Sequence, residues 1–495
     1  MTIALVASAL IAGTLIEPLL GLSATLVLGP WAAWQNTYLP GLLPTDVGQL
    51  SVALTLGAWG ARGLLRREFT LPRAPLLIPL AIFTGWAGVS LLWAPDYSFG
   101  LPEVLKWLEM ILVALLVVDA ARARRPAAAL KWVVIGLLLS AIVQALVGIY
   151  EARIRGAGPE GFLLAEGVYR AYGSFEQPNP FGGFIGLNLP IAIGLALALW
   201  PKIWIRTLAP PGSPEGGPAL ARSASAGVNT DHADKKNKSA LIRALRSPRP
   251  IFSATLVTLV AVLLAAALYL SFSRGAWLGA LAALLAMGLF LPRRRWVGLA
   301  LIGGLVVVGL MLGGAGLLPA SIAERFADVG ALVDAPDVRG VKINDANYAL
   351  IERLAHWQAA TRMVEANPWT GVGFSNYQPV YEQYRLLNWS MPLGHAHNIY
   401  LNVAAETGLP GLAAYLVLWI AIFAQTIRAL RTQRGAWRGL LLGLLGAWVH
   451  LSVHHLFDNL YVDNVHLNIG AMIGVLSVLA APGGVESESE RHAAA

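Results

Sequence analysis

The stretch FSATLVTLVAVLLAAALYLSFSRGAWLGALAALLAMGLFL, residues 252–291, indicates the fold most directly. It contains two apolar runs, 252–271 and 275–291, which hold no charged residue and are separated by a short turn. Three arginines follow at positions 293–295. A helix needs about 20 apolar residues to cross the hydrocarbon core of a bilayer. The stretch therefore predicts two membrane-spanning helices joined by a tight turn.

The same pattern recurs along most of the chain. Other apolar runs of spanning length lie near 46–64, 75–94, 103–120, 130–151, 181–200, 296–314, 398–427, 437–456 and 465–481. The first 35 residues form either one long crossing or two short helices broken near Glu17-Pro18. They have no basic segment and no clear cleavage site, which favours a retained helix over a signal peptide. The sequence predicts an all-α fold, a polytopic transmembrane helical bundle of 12 or 13 helices.

The composition agrees with a membrane protein. Of 495 residues, 56% are hydrophobic and 13% are charged, whereas a soluble domain carries about 25% charged residues. The absence of cysteine excludes disulfides and thiolate metal ligands. The net charge of +8 does not indicate nucleic acid, because the basic residues lie in short clusters between apolar runs. Membrane lipids are the expected environment.

Clusters of arginine and lysine set the expected orientation of the bundle. They lie at 62–73, 122–131, 293–295 and 428–438, and in the Pro-, Gly- and Ser-rich segment 202–250. An even number of predicted helices separates each cluster from the next, so all share one side, which the positive-inside rule makes cytoplasmic. The extracytoplasmic side then receives 95–102, 152–180, 271–275, 315–396 and 457–464.

Membrane and loop segments alternate along the chain. The expected divisions are N-terminal transmembrane helices at 1–200, a disordered cytoplasmic loop at 201–250, transmembrane helices at 251–314, an extracytoplasmic catalytic loop or cap at 315–396, C-terminal transmembrane helices at 397–482 and a disordered tail at 483–495. In the cap, Tyr348–Ala366 predicts an amphipathic helix that ends at Asn367-Pro368. Its predicted inner face comprises Leu350, Leu354, Trp357, Ala360, Thr361 and Val364.

Arg274 stands in the turn between two apolar helices. Burial of a guanidinium in hydrocarbon is costly unless the group is paired or hydrated. Arg274 is therefore either an interface arginine that extends to water or an anion contact, because the guanidinium fork matches phosphate oxygens. Arg170 and Arg353 lie on the same predicted side, where a solvated loop charge is an equal interpretation.

His395 and His397 stand where the large outer loop returns to the membrane. Such a pair could bind a metal, but no carboxylate at metal-ligand spacing accompanies it, so we predict no metal site. A structural role at the membrane interface is a second interpretation. Histidine titrates near neutrality and can accept a proton from a hydroxyl nucleophile, which makes a general base the third.

Two further polar patches fall on the predicted outer side. In the turn 172–183, Gln177 and Asn179 offer amide donors and acceptors suited to sugar hydroxyls. Asn179 could equally cap the helix that follows. In the patch His-His-Leu-Phe-Asp at 454–458, Asp458 could orient a histidine or could be solvated.

These motifs resemble those of the O-antigen ligase and polymerase superfamily of bacterial envelope glycosyltransferases. The family's fingerprint is His followed by Asn, Ser or Gln, nine free residues and Gly, and here His397-Asn398 is followed by nine residues and Gly408. Similar matches are the Ser273-Arg274-Gly275 turn, the Arg353…Trp357 helix leading to Asn-Pro-Trp-Thr-Gly-Val-Gly-Phe at 367–374, and the Gly-Ser-Phe…Asn179 turn. The resemblance covers residues 170–480.

The resemblance implies a transferase of the bacterial inner membrane with its active site on the extracytoplasmic face and no cofactor. It assigns His397 as the base or acceptor-orienting residue, although His395 could take that role. It assigns Arg274 and Arg353 to the diphosphate of a glycan linked to a polyprenyl diphosphate such as undecaprenyl diphosphate. The transfer it implies is inverting and metal-independent. The expected substrate-binding residues are His395, Asn398, Asn179, Gln177, Arg170 and Asp458.

Three activities share this signature, and the sequence leaves them open. They are ligation to the lipid A-core of lipopolysaccharide, polymerisation of repeat units, and transfer to a protein. The expected partners are a lipid-linked glycan donor and a glycan or lipid-anchored sugar acceptor. A transporter of lipid-linked glycans is the alternative from another class. It predicts midplane charges and broken helices in paired positions, and the sequence shows no such pairing.

Overall fold

The computed structural model describes residues 2–66, 74–123, 126–165, 167–208, 248–292, 295–314, 338–343 and 347–481. Most of the predicted cytoplasmic loop, the first part of the predicted cap and the predicted tail lie outside these ranges. Within them, the regular structure besides helix is one two-stranded antiparallel sheet, β1 (Leu163–Ala165) and β2 (Val168–Tyr169). The predicted all-α fold is confirmed.

The described helices follow the predicted apolar runs. In chain order they are α1 (Thr2–Ile16), α2 (Pro18–Leu28), α3 (Ala32–Tyr38), α4 (Val47–Arg66), α5 (Leu77–Ser90), α6 (Tyr97–Ala123), α7 (Pro126–Arg153), α8 (Pro178–Leu208), α9 (Pro248–Leu270), α10 (Arg274–Phe290), α11 (Arg295–Gly314), α12 (Tyr348–Ala366), α13 (Tyr377–Tyr384), α14 (Ile399–Thr432), α15 (Gly435–His454) and α16 (Val465–Leu479). The N-terminal segment forms two helices divided at Glu17, whose side chain accepts a hydrogen bond from the Leu19 N–H.

Five of the described helices are long and apolar enough to cross a membrane. They are Pro126–Arg153, Pro178–Trp200, Ser253–Leu270, Ile399–Thr432 and Gly435–His454. Shorter apolar helices lie at Leu77–Trp93, Arg274–Phe290 and Val465–Leu479. The chain is therefore a polytopic helical membrane protein, and the total of 12 or 13 crossings stays a prediction.

Helix α8 packs against three of the helices that build the site. It contacts α9, α10 and α15, and α15 contacts α10 in turn. Glycine brings two of these backbones together, since a Cβ built on Gly443 of α15 would lie 2.6 Å from the Ile191 Cα of α8. Small residues at such contacts are typical of membrane bundles, where close packing drives helix association. As a result, the first turns of α8 and α10 meet the last turn of α15.

Helix α14 is broken at Gly408, within a run that the sequence analysis takes as a single span. Gly408 has φ 69° and ψ −179°, a combination that essentially only glycine adopts. A Cβ at this position would also lie 2.6 Å from the carbonyl carbon of Trp369. The Leu409 N–H donates to the Pro368 carbonyl at 2.8 Å, so the segment 367–374 lies across the break.

The break explains the spacing between Asn398 and Gly408 in the sequence fingerprint. The Asn398 side chain accepts hydrogen bonds from the N–H groups of Tyr400 and Leu401, at 3.0 and 3.1 Å, and so caps the helix. Gly408 ends its first part. The nine residues between them are about two and a half helical turns, which fix the distance from His397 to the break.

Gly408→Ala should destabilise the protein by about 2 kcal/mol or more, because alanine does not reach this backbone conformation and its Cβ would collide with Trp369. We expect a lower thermal midpoint in nanodiscs. Gly85→Ala is the matched control, since a Cβ at Gly85 of α5 meets open space. Equal midpoints for the two variants would contradict the importance of the break.

The cap helix α12 begins and ends where the sequence predicts. Its buried face differs from the predicted one. Thr361 is exposed and Trp357 is half-buried, whereas Ile351, His356 and Met363 are buried. The physical reason is that α12 packs against both α13 and α14, so burial extends around more of the helix than one apolar stripe.

Segments predicted for the outer side contact one another at one end of the bundle. The Trp93 indole N–H donates to the Thr370 carbonyl at 3.0 Å. The Asp96 N–H donates to the Asn376 side chain at 2.9 Å. These bonds join the cap to the turn between α5 and α6 and hold it over the helix ends.

Candidate active site

The turn between α9 and α10 places Arg274 at the first position of α10. Phe272 has φ 48°, a left-handed conformation that is uncommon for a non-glycine residue and persists only where neighbours hold it. Arg170 provides that hold by donating to the carbonyls of Ser271 and Phe272 at 3.0 and 3.4 Å. The same guanidinium donates to Asn179 Oδ1 at 3.1 Å. Arg170 therefore links the two turns that carry Asn179 and Arg274.

A pocket opens beside this turn, where α8, α10, α12 and α15 meet. Its lining comprises Arg170, Asn179, Phe272, Ser273, Arg274, Gly275, Leu278, Ala349, Leu350, Arg353, His454, Phe457 and Asp458. Three guanidinium groups and one carboxylate give the lining an excess of positive charge, and leucine and phenylalanine side chains add apolar surface. Such a pocket suits an anion attached to an apolar chain.

Two helices begin at this pocket. Helix α8 starts at Pro178 and α10 at Arg274, and Ser273 at the N-cap of α10 makes no side-chain cap hydrogen bond. The first N–H groups of a helix have no partner within the helix and carry partial positive charge, so anions bind favourably there. The helix ends thus add to the positive potential of the arginines.

Arg353 reaches the pocket from the cap. Its Nη1 donates to the Ala349 carbonyl of the same helix at 2.7 Å, and its Nε donates to the Phe457 carbonyl at 3.3 Å. The second bond fixes the cap helix to the turn that follows α15. The guanidinium therefore lies between the cap and the bundle, and its partner Phe457 immediately precedes Asp458 in the chain.

Asp458 lies between the pocket and the two histidines. Its Oδ1 is 3.5 Å from His397 Nδ1 and 3.8 Å from His395 Nε2. Burial alone would raise the pKa of Asp458, but the hydrogen bond from His397 and the charges of His395 and His397 bring this pKa below its usual range. Asp458 is therefore buried rather than solvated and faces both histidines, and its role in orienting a histidine stays a prediction.

Hydrogen bonds define the roles of the ring nitrogens. The His397 backbone N–H donates to His395 Nδ1 at 3.0 Å, so a neutral His395 carries its proton on Nε2, which faces Asp458. Burial, and then the neighbouring His397, lower the pKa of His395 to about 4. Both ring nitrogens of His397 are buried; Nδ1 lies 3.5 Å from Asp458 Oδ1, and Nε2 has no hydrogen-bond partner in the described part of the chain. If the proton of neutral His397 is on Nδ1, toward the carboxylate, the lone pair is on Nε2.

His356 was not predicted from the sequence as a site residue, yet it lies against His397 with ring centroids 5.9 Å apart. Its Nδ1 forms a 2.8 Å hydrogen bond with the Tyr377 hydroxyl. Burial, and then the charges of His397 and His395, lower the pKa of His356 to about 3. The signal that could have found it is spacing, because residues three apart share a helix face and Arg353 stands three positions earlier.

The other predicted site residues do not all lie in the pocket. Asn179 lines the pocket, whereas Gln177 is exposed and is not part of the lining. Asn398 is a helix cap, so its side-chain oxygen is already used. His395 and His397 adjoin the pocket through Asp458. The substrate contacts assigned to these residues stay predictions.

In the folded chain, Asp458 lies beside the histidine pair. It provides the carboxylate that is absent near this pair in the sequence. His395, His397 and Asp458 bring three ligand atoms within 4.8 Å of one another, as a metal ion would require. The hydrogen bond to His395 Nδ1 argues against this use, because Nε2 then carries a proton and has no lone pair for a metal. The arrangement fits proton transfer better than metal binding.

Acidification should destabilise this site. The pKa values of His356 and His395, about 3 and 4, lie below their ordinary value of 6.5. Between these values the unfolded chain binds more protons, so stability is full above about pH 6.5 and falls as the pH decreases toward 4. We expect the thermal midpoint in nanodiscs to fall less for His356→Phe than for the wild type between about pH 7.5 and 5.

Tyr377→Phe is the control for this comparison. It removes the hydroxyl partner of His356 but keeps the imidazole, so it should show the full acid-dependent fall. An equal fall in the wild type and His356→Phe would contradict the buried neutral state of His356.

Together these features define a polytopic helical membrane protein with a cationic pocket beside an imidazole–carboxylate site. Residues 259–416 match the family described as O-antigen ligase. The match confirms the resemblance that the motifs indicate and supports an O-antigen ligase family assignment. This family supports a glycosyltransferase-like role in polysaccharide assembly at a membrane. No curated protein matches the chain.

The matched segment covers only part of the site. It includes Arg274 and Arg353 and both histidines of the His395–His397 pair. The pocket residues Arg170, Asn179 and Asp458 lie outside it. Residues near the start of α8 and just after α15, outside the matched segment, therefore contribute to the same site.

Proposed function

We propose that this protein is a glycosyltransferase of the bacterial inner membrane, which transfers a polyprenyl-diphosphate-linked glycan to an acceptor sugar on the extracytoplasmic face. The observation that carries the proposal is the adjacency of the arginine pocket and the His397–Asp458 pair, which share Asp458. Arginines suit a leaving diphosphate, and imidazole suits an attacking hydroxyl. The family supports lipid-linked glycan and acceptor substrates in general.

The reaction follows from the chemistry of these groups. The acceptor hydroxyl oxygen attacks the anomeric carbon on the face opposite the diphosphate. The new C–O bond forms as the bond to the diphosphate oxygen breaks, so the anomeric configuration inverts. The hydroxyl proton passes to His397 Nε2. The bonding electrons leave with the diphosphate, where Arg274 and Arg353 stabilise the growing negative charge.

Asp458 has two roles in this scheme. It holds the His397 ring with Nδ1 toward the carboxylate, and it stabilises the imidazolium that forms when Nε2 accepts the proton. His395 faces the same carboxylate with its own N–H and thereby limits the rotation of Asp458. The first carbons of the polyprenyl chain would lie along the apolar pocket residues Leu278 and Leu350.

Transfer should proceed in the presence of a chelator, because no step of this scheme uses a metal ion. We expect equal initial rates with and without EDTA, measured with the purified protein and a lipid-linked donor. A metal-dependent glycosyltransferase in the same buffer provides the control for chelation. A loss of activity that added divalent metal restores would make His395 and His397 metal ligands instead.

Product analysis tests the proposed function and separates its variants. The purified protein in nanodiscs receives a lipid-linked repeat unit alone, and products are identified by mass spectrometry. Longer chains would identify a polymerase. Reaction only after addition of a lipid A-core acceptor would identify a ligase, and reaction only with an acceptor protein would identify a protein transferase. Movement of the intact lipid-linked unit across the membrane without a new glycosidic bond would contradict the proposal and favour a transporter.

A further inference from the structure

Asn402 is a buried asparagine in the first part of α14, and its side chain faces the loop that carries His397. Its Oδ1 accepts a hydrogen bond from the Ala396 N–H at 3.0 Å. Ala396 is fully buried and immediately precedes His397 in the chain. The asparagine therefore fixes the backbone at the residue before the proposed base.

The other end of the Asn402 side chain is bonded to a buried carboxylate. Glu406 stands four positions after Asn402, so the two side chains share a helix face, and a side-chain hydrogen bond joins them. A side-chain amide carries both an acceptor oxygen and a donor nitrogen. Because Ala396 offers an N–H, the oxygen of Asn402 faces Ala396 and the nitrogen is left for Glu406. An apolar side chain of similar size could make neither bond.

Glu406 in turn binds the cap with both its side chain and its backbone. Its Oε1 accepts a hydrogen bond from the Tyr377 N–H at 3.2 Å, and its side chain also bonds the backbone of Ser375. Its carbonyl accepts a hydrogen bond from the Gly373 N–H at 2.9 Å. This carbonyl is available to the cap because Pro410, four positions later, has no N–H to complete the helical bond.

Tyr377 connects the cap to the base from the other side. Its hydroxyl forms a 2.8 Å hydrogen bond with His356 Nδ1, and the His356 ring lies against His397. A continuous path of contacts therefore leads from the His397 loop through Asn402 and Glu406 to the cap, and from the cap back to His397. All these groups except His397 are buried, and buried hydrogen-bond networks make a protein locally rigid.

We propose that Asn402 is a positioning residue of the transfer reaction, which holds His397 in place relative to the cap by joining Ala396 to Glu406. The inference rests on the proposed function and adds to it a residue that acts only through His397. The His397 backbone is left-handed, with φ 51°, and such a conformation persists only where the surrounding structure holds it. Displacement of a reacting group by about 1 Å can lower a rate by about 100-fold.

Asn402→Leu tests the inference, because leucine has a similar size but can make neither hydrogen bond. In the purified protein in nanodiscs, kcat for glycan transfer should fall roughly 10- to 100-fold, with the KM for the lipid-linked donor unchanged. The decisive background is His397→Asn. There the same substitution should not lower the residual rate further, since a residue that acts only through the base has no effect once the base is removed.

Asn468→Leu is the matched control. Asn468 is a buried asparagine of α16, outside the pocket lining, and its side chain makes no hydrogen bond in the described part of the chain. Its replacement by leucine should therefore leave kcat at the wild-type value.

Glu406→Gln tests the same link from its other end and covers the case in which Asn402→Leu does not fold. Glutamine keeps the shape of Glu406 but replaces one acceptor oxygen with a donor. Ser375, Tyr377 and Asn402 then share one acceptor oxygen instead of two. This variant should show a fall in kcat in the wild-type background and no further fall in His397→Asn.

The outcomes separate this inference from the proposed function. Wild-type protein that transfers no glycan to any of the acceptors named above would contradict both. An active wild type with an unchanged kcat in Asn402→Leu would overturn the role of Asn402 alone. A kcat that falls by the same factor in the wild-type and His397→Asn backgrounds would also overturn it, because that result indicates a structural effect independent of the base.

Discussion

His397→Asn should lower kcat for glycan transfer by at least about 100-fold, the usual contribution of a general base, with little change in the KM for the lipid-linked donor. Asparagine removes the proton acceptor and leaves the arginine pocket intact. It is a sharper choice than alanine because His397 has φ 51°, and asparagine adopts this left-handed conformation more readily than most residues. The measurement is initial rate against donor concentration, at matched protein levels.

Leu393→Asn is the matched control for the backbone. Leu393 also has a left-handed conformation, with φ 49°, but it is exposed and lies outside the pocket lining. Its variant should retain wild-type turnover. Full turnover in His397→Asn would refute the base assignment, and a large loss in His395→Asn instead would move the base to His395.

Arg274→Lys should lower kcat/KM for the donor by about 100-fold or more, although the charge is kept. Lysine lacks the planar fork that binds two phosphate oxygens at once, and preorganised donors at a developing charge are worth about this factor. The KM for the acceptor should change little, because the residue contacts the leaving group. Rates measured with donor and acceptor varied separately distinguish the two effects.

Arg385→Lys is the control for a conservative change in another arginine of the predicted outer side. Arg385 bonds Glu382 on the cap, outside the pocket lining, so its variant should behave as the wild type. An Arg274→Lys variant with a raised KM for the acceptor and an unchanged KM for the donor would count against diphosphate recognition.

Much of the fold could be predicted from the sequence, because the bilayer imposes a strong and simple pattern. The runs of apolar residues predict most membrane helices closely, and the amphipathic pattern with its Asn-Pro end predicts the full bounds of α12. The break at Gly408 could not be read from hydropathy, since apolar residues continue on both sides of it. It depends on the contact with Trp369 and Pro368, which belongs to the tertiary structure.

The site could be predicted only where its residues carry a local motif. Arg274 and His397 stand in such motifs, and in the structure both lie close to Asp458 at one end of the bundle, the end predicted to be extracytoplasmic. The approach of Asp458 to His397 could not be predicted, because the two are far apart in the chain and only the packing of α14, α15 and the cap brings them together. His356 was missed for a related reason, since its position three residues after Arg353 places it on the same helix face but does not show that the fold brings it against His397.

The broken helix also bears on the choice of function. A transporter is expected to have broken helices in paired positions, and α14 is broken at Gly408. This break is explained by a local task, because its first part, residues 399–407, positions His397 at one end and supports the segment 367–374 at the other. It therefore agrees with an enzyme whose site is built from helix ends.

The position of bound polyprenyl diphosphate tests the central claim most directly. Cryo-electron microscopy of the wild-type protein with this ligand in a nanodisc would give it. The account predicts density for the diphosphate in the pocket between Arg274 and Arg353, with Asp458 and His397 on the side from which the acceptor approaches. Density for the diphosphate at the opposite end of the bundle, or away from both arginines, would contradict the account.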